Sequence, residues 1–218
     1  MTLAELITLY RADSGDEATP PFCSDALLTI YANEAEEEAS RRAKLLRDST
    51  SSVCTIAFEA DDETISLDPV ILQVLRVFVN GREACVVNVD HMDSVIPGWQ
   101  FSLNRDRPVR LVSGLTSGKL HLWPRPKEDG AVTLTVERLP LESMSATTDA
   151  PEIRPELHRS LVPWMLYRAY SREDSDLYND RKAAIHLAKF EAEFGQKASG
   201  RNEEWVRAGE KSAPEPIA

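Results

Sequence analysis

Residues 74–87 read Val-Leu-Arg-Val-Phe-Val-Asn-Gly-Arg-Glu-Ala-Cys-Val-Val. Two runs rich in β-branched residues, Val74–Val79 and Arg82–Val87, are separated by Asn80-Gly81 alone. A type I′ turn needs positive φ at both central residues, and Asn and Gly supply it at least cost, so this stretch is a two-residue β-hairpin. Working outward, the period stays at two. Val53–Phe58 reads as a strand, Asp61-Asp62 as a turn, and Thr64–Leu67 as another strand. On the far side, Val89–Gln100 is irregular, with Pro97-Gly98-Trp99 a turn anchored by a large aromatic. Val109–Val112, Lys119–Trp123 and Val132–Arg138 bring the set to six or seven short strands, the last two joined by the polar loop Pro124–Gly130. The expectation is an antiparallel β-domain over residues 51–140, a small sandwich or a curled sheet.

Helical periodicity flanks this region on both sides. Thr2 and Glu5 have capping-box spacing, and Leu3, Leu6, Ile7 and Tyr10 form a stripe. Ser14–Pro21 reads as a loop, broken by Gly15, Pro20 and Pro21. Ser24 caps a second helix, in which Leu28, Tyr31, Ala35, Ala39, Ala43 and Leu46 recur at three or four residues. Glu34, Glu36, Glu37 and Glu38 come before Arg41, Arg42, Lys44 and Arg47. That order complements the helix dipole, and Glu37–Arg41 and Glu38–Arg42 are i,i+4 pairs. Such a charge run reads as a solvated face. The small residues Ala35, Ala39 and Ala43 allow a close neighbour, and packing between subunits is their expected use.

After Pro140 comes a polar link, Glu142–Ala150. Pro155 is well placed at a helix N-terminus. Leu157, Leu161, Met165 and Ala169 form the next stripe, widened by Trp164, Leu166 and Tyr167, and Pro163 inside it predicts a kink or a late start. Asp174 or Ser175 is expected to cap a last helix running to Gly195, with Tyr178, Ala184, Leu187, Phe190 and Phe194 facing inward. The fold class is therefore α+β. Helices of residues 1–50 and an antiparallel helical hairpin of residues 151–195 form one bundle, into which the β-domain is inserted. Residues 196–218 form an extended tail whose large apolar groups are Trp205, Val206 and Ile217, too few to offset the entropy of ordering it alone.

The chain has 218 residues, a net charge of −11, 42% hydrophobic and 28% charged residues. Those are ordinary globular proportions, and the acidic balance argues against a general nucleic-acid binder held by phosphate neutralisation. Residues 1–10 carry Glu5 and no basic run, and no apolar run approaches the ~18 residues of a membrane span, so neither a leader nor a membrane partner is expected. Three cysteines, Cys23, Cys54 and Cys85, without a CxxC pair fit a reducing compartment, and Cys54 and Cys85 read as small buried hydrophobes. Catalytic signatures are thin. The four histidines, His91, His121, His158 and His186, form no HExxH. His158 and His186 lie on adjacent predicted helices, and a metal there would need a third ligand such as Glu156 or Asp180. Ser113-Gly114 and Ser117-Gly118 lack a nucleophile elbow. Asp61, Asp62 and Glu63 lack the spacing of a Ca²⁺ loop, and His91 with Asp90 and Asp93 reads as a polar turn. Arg105, Arg107 and Arg110 around Pro108, with Arg125 and Lys127 around Pro126, lack the interleaved aromatics of a nucleic-acid track. No catalytic residue, cofactor or metal is expected.

The segment Leu120-His121-Leu122-Trp123-Pro124-Arg125-Pro126, then Val132–Pro140 ending Arg138-Leu139-Pro140, resembles a recurring feature of tailed-phage head–tail adaptor (connector) proteins. There a strand ends in a Pro-x-Pro turn and a following strand leaves at an Arg-x-Pro-like exit. The next helices are similar too: Ile153, Pro155, His158, Leu161, Val162, Trp164 and Leu166–Tyr170, then Asp174, Asp176, Asn179, His186, Phe190 and Phe194-Gly195. Asn33-Glu34-Ala35 is compatible with the family's early helix. The resemblance spans residues 24–195. It implies a virion structural protein at the head–tail junction, made in the host cytoplasm. It also implies a homo-oligomeric ring of about twelve copies under the portal protein, extending the DNA channel and docking tail or nozzle proteins. DNA would pass without sequence-specific binding, which an acidic lining favours. A C-terminal extension commonly reaches into the portal in that family, which makes Trp205, Val206 and Ile217 the expected docking groups, folding on their partner. Three other readings stay open: a tail-side neck protein (tail terminator or completion subunit), a β-sandwich module binding a sugar or peptide on Trp99 and Trp123, and a metal-dependent hydrolase using His158 and His186.

Overall fold

The computed structural model describes residues 1–16, 18–173, 176–198 and 200. In chain order the elements begin with α1 (Leu3–Ser14), α2 (Asp25–Ala43), β1 (Leu46–Asp48), β2 (Thr55–Phe58) and β3 (Thr64–Ser66). They continue with β4 (Ile71–Val79), β5 (Arg82–Asn88), α3 (Val89–Val95), β6 (Arg110–Ser113), β7 (Lys119–Trp123) and β8 (Gly130–Arg138). A 3-10 segment (Pro155–Leu161) then leads into α4 (Val162–Tyr170), followed by α5 (Asp180–Phe194). The protein is of mixed α+β class. It divides into two compact units, one of Met1–Leu46 with Leu139–Lys197, the other centred on Arg47–Arg138.

In the helical unit, α1 starts at the expected capping box: Thr2 accepts from the Glu5 amide, the Glu5 carboxylate accepts from the Thr2 amide, and Gly15 closes the helix at φ 72°. Ser24 caps α2, which stops at Lys44 in the left-handed region (φ 50°). Leu46 and Arg47 therefore belong to β1, not to the helix into which the apolar stripe had extended them. Pro163 acts as a late start. Pro155–Leu161 winds as a 3-10 segment, and α4 begins at Val162 with Pro163 in the first turn, where its missing N–H costs nothing. The last helix begins later than expected, capped by Asn179 through the Lys182 amide (2.9 Å). Of the two expected caps, Asp174 and Ser175, both lie outside the described residues. Tyr178 precedes the helix and is exposed, and Ala183 rather than Ala184 turns inward, in line with Leu187, Phe190 and Phe194 at helical spacing. One core joins α1, α2 and α4 through Leu6, Tyr10, Leu28, Tyr31, Met165 and Leu166. A second joins α2, α4 and α5 around Ala35, Ala39, Trp164, Phe190 and Phe194.

In the other unit, eight strands are ordered β1-β8-β4-β5-β6-β7-β3, with β2 also on β8. The Asn80-Gly81 hairpin forms as read, with φ 50° and 73° and Val79 opposite Arg82. The purely antiparallel expectation fails at one place: β5 and β6 run parallel, Cys85 against Arg110 through Asn88 against Ser113. A parallel pair needs a crossover between its strands. The stretch read as irregular supplies it, with α3 and a 3-10 turn at Trp99–Phe101. The sheet also curls. β2 and β3 are joined by the short Asp61 turn (φ 68°), yet pair with β8 and β7, near opposite ends of the strand order. Only a sheet bent round on itself brings those ends together. Inside the curl lie Phe58, Val77, Val79, Leu111, Leu122, Val132 and Leu134. On the outer face of β5–β7, α3 and the Trp99 turn cover Val112 and pack against Val87 and Trp123. Adjacent residues such as Leu111 and Val112 are thus both buried. Cys85 sits on that outer face beyond the cover and is exposed, which corrects its expected burial; Cys23 and Cys54 are buried.

Candidate functional site

The charged run of α2 is not a solvated face. Glu36 and Glu38 retain 2% and 8% of their exposure, and the i,i+4 line through Glu36, Leu28–Ala32–Glu36–Ser40, is enclosed along its length. The two glutamates are treated differently. Glu38 is ringed by cations: Arg41 at 2.9 Å, Arg42 at 3.0 Å and Lys197 at 3.4 Å. Arg42, its side chain 3% exposed, also lies over the Trp164 and Phe190 rings at 5.2 Å and donates to the Gly195 carbonyl at 3.3 Å. This arginine ties the end of α5, where the tail begins, to α2. A buried ion pair backed by extra hydrogen bonds and aromatic faces offsets much of its desolvation.

Among the described residues no cation pairs with Glu36. One carboxylate oxygen accepts from the Glu152 and Ile153 amides, the second at 3.3 Å. Burial pushes its pKa up to about 7 against the pull of those two bonds, and Glu152 and Glu37 add to the rise. One turn earlier, Asn33 donates to the Met144 carbonyl (2.9 Å) and accepts from the Met144 amide (2.8 Å). Between these grips, the first amides of α1 donate to the same segment, Leu3 to Asp149 (2.7 Å) and Ala4 to Thr147 (3.1 Å). The polar link thus forms a strap, Leu141–Ile153, held by side chains of α2 and the open end of α1 rather than by a ladder of its own. Sequence reading missed Glu36, Glu38, Arg42 and Asn33 as structural anchors. The signal was present in the small residues Ala32 and Ser40 on either side of Glu36 along one helical line.

Ala35 and Ala39 are fully buried against Ile153, Leu161, Trp164, Phe190 and Phe194 of their own chain, and Ala43 is exposed. The close neighbour that the stripe accommodates is therefore the chain's own α4 and α5, leaving Ala43 for any contact between copies. Trp205, Val206 and Ile217 lie outside the described residues. His158 bonds to the Ile153 carbonyl at 2.8 Å and to Met1, whereas His186 stacks on Tyr170 at 5.7 Å. Among the described residues no group of three or more His, Cys, Asp or Glu could hold a metal ion. Trp99 is 5% exposed and donates to Asp93 at 2.8 Å, so it is not the open platform of the ligand-binding reading. Trp123 is half-buried under Arg110. The arginines near Pro108 and Pro126 are partly neutralised within the chain, Arg105 by Asp61 (2.9 Å) and Arg125 by Glu63. No described helix is long and apolar enough to cross a membrane.

The helical unit and the curled-sheet unit each hold their own segments together with a buried ion pair, Glu38–Arg42 in the one and Asp48–Arg138 in the other. The family model described as SU10 adaptor protein matches residues 1–211, and the chain belongs to that family, one of phage head–tail adaptors. A search of curated proteins finds no match.

Proposed function

We propose that this protein is the repeating subunit of a ring that sits under the portal, prolongs the DNA channel and receives tail or nozzle proteins. The observation that carries this reading is the match of a single adaptor family across residues 1–211. The helical parts, residues 1–50 and 151–195, act in it as the bundle of the ring, with the β-domain of residues 51–140 as an insertion offered to other proteins. The tail, residues 196–218, docks on the portal through Trp205, Val206 and Ile217, and a chain of net charge −11 lines a passage from which DNA is repelled rather than held. Ring closure follows from repeated head-to-tail contact between identical subunits. The Glu38–Arg42–Gly195 anchor supports the tail's part in this, since it fixes the root from which the tail leaves α5.

The test is partner choice. Mixed separately with the portal protein and the tail-tube protein of its phage, the full chain should co-sediment with the portal. Removing Gln196–Ala218 should abolish that while circular dichroism stays unchanged. Co-sedimentation with the tail tube alone would make it a tail-side neck protein. Normal portal attachment of the truncated chain would refute the docking role of the tail.

A further inference from the structure

We propose that the strap Leu141–Ile153 is a proton-tightened latch on α2, with Glu36 as the group that senses the proton. The geometry is that of a release point. Asn33 and Glu36, one helical turn apart, hold the strap at Met144 and at Glu152–Ile153. Met144 and Ile153 plug into two separate cores; between them Pro151 is also buried, whereas residues 145–148 and 150 are exposed. At this end the Glu152 and Ile153 amides are held by the buried Glu36 carboxyl group, while the Ile153 carbonyl is held by His158.

The charges facing Glu36 do not compensate it. On its own helix the neighbour is Glu37; on the strap it is Glu152, whose carboxylate accepts from Leu141 at 3.1 Å. From the 3-10 segment, His158 is turned to the Ile153 carbonyl and Met1, and Arg154 is paired with Glu156 at 3.3 Å. Among the described residues an ionised Glu36 is thus a buried charge stabilised by two amide donors, and a carboxyl in that position prefers its proton. When the strap lifts, the group meets water and returns to its ordinary acidity. The closed strap therefore binds the proton more tightly than the open one, so acid closes it. The stabilisation is complete below the ordinary value of 4.5 and is lost as pH rises toward about 7.

Amide hydrogen exchange on the full chain reads this directly, after correction for the intrinsic pH dependence of exchange. The opening constant of peptides within 141–153 should rise about twentyfold between pH 5.5 and 7.5, then level off. Glu36→Gln keeps a carbonyl acceptor for both amides and cannot titrate, so its strap should open equally at both pH values. Glu37→Gln, which removes the smallest of the charges that raise Glu36, should keep the rise and move its midpoint only slightly to lower pH. A flat profile in the unaltered chain, or the same rise in Glu36→Gln, would overturn the latch. Should Glu36→Gln fail to fold, the carboxyl carbon of Glu36 followed by NMR in the unaltered chain decides. A midpoint near 7 supports the proposal, and one near 4.5 overturns it.

Discussion

Asp48 shows how much one side chain can carry in the sheet unit. It receives the Arg138 Nε at 2.7 Å and the amides of Thr50 and Ser51 at 2.9 and 3.2 Å, with only 8% of its side chain exposed. Burial alone would raise its pKa; bonds from Ser51, Thr50 and Arg138 more than reverse that and hold the carboxyl well below its usual range. Asp48→Asn removes the charge facing Arg138 and should cost about 3 kcal/mol in urea unfolding. The sign with pH is opposite to that of Glu36. The contribution of Asp48 is present above the ordinary value of 3.8 and is lost as pH falls below it. Unfolding midpoints should therefore drop steeply below about pH 4 in the unaltered chain and more gently in Asp48→Asn. Neither role was legible from residue type. Both carboxylates sit in polar runs, and what separates them is the partner that folding brings up, Arg138 in one case and two bare amides in the other.

Among the elements, α2 is the one whose packing departs most from its sequence pattern. Its alanines meet α4 and α5 of the same chain, and Ala39 touches no solvent. Ala39→Leu should overpack that contact and lower stability by about 1–3 kcal/mol. Ala43→Leu, at the exposed end, should stay within about 0.5 kcal/mol unless copies meet there. Thermal melts of both variants, run dilute and concentrated, separate the two effects, because a loss at Ala43 seen only at high concentration would mark a contact between subunits. The hairpin at Asn80-Gly81, the cap at Thr2 and the late start at Pro163 were legible because each depends on chemistry within four residues. The parallel β5–β6 pair was not, since its crossover helix α3 is short and its burial comes from Trp99 and Val112, distant in sequence. The enclosure of Glu36 left only a trace in the sequence, the small residues Ala32 and Ser40 on its helical line, since helical periodicity reports a face and not what covers it.

At the scale of the whole molecule, the two units divide the work of an adaptor between them in the reading proposed here. The sheet unit presents loops, the helical unit anchors the tail root through Arg42, and the tail carries Trp205, Val206 and Ile217 to the portal. Assembly is then the functional event, and copy number is its signature. The most direct measurement is the native mass of the full chain alone and mixed with its portal protein. The expected result is a portal complex that gains a complete, symmetric set of copies of this chain. A chain that leaves the portal mass unchanged, at concentrations where both proteins are folded, would contradict the adaptor-ring account.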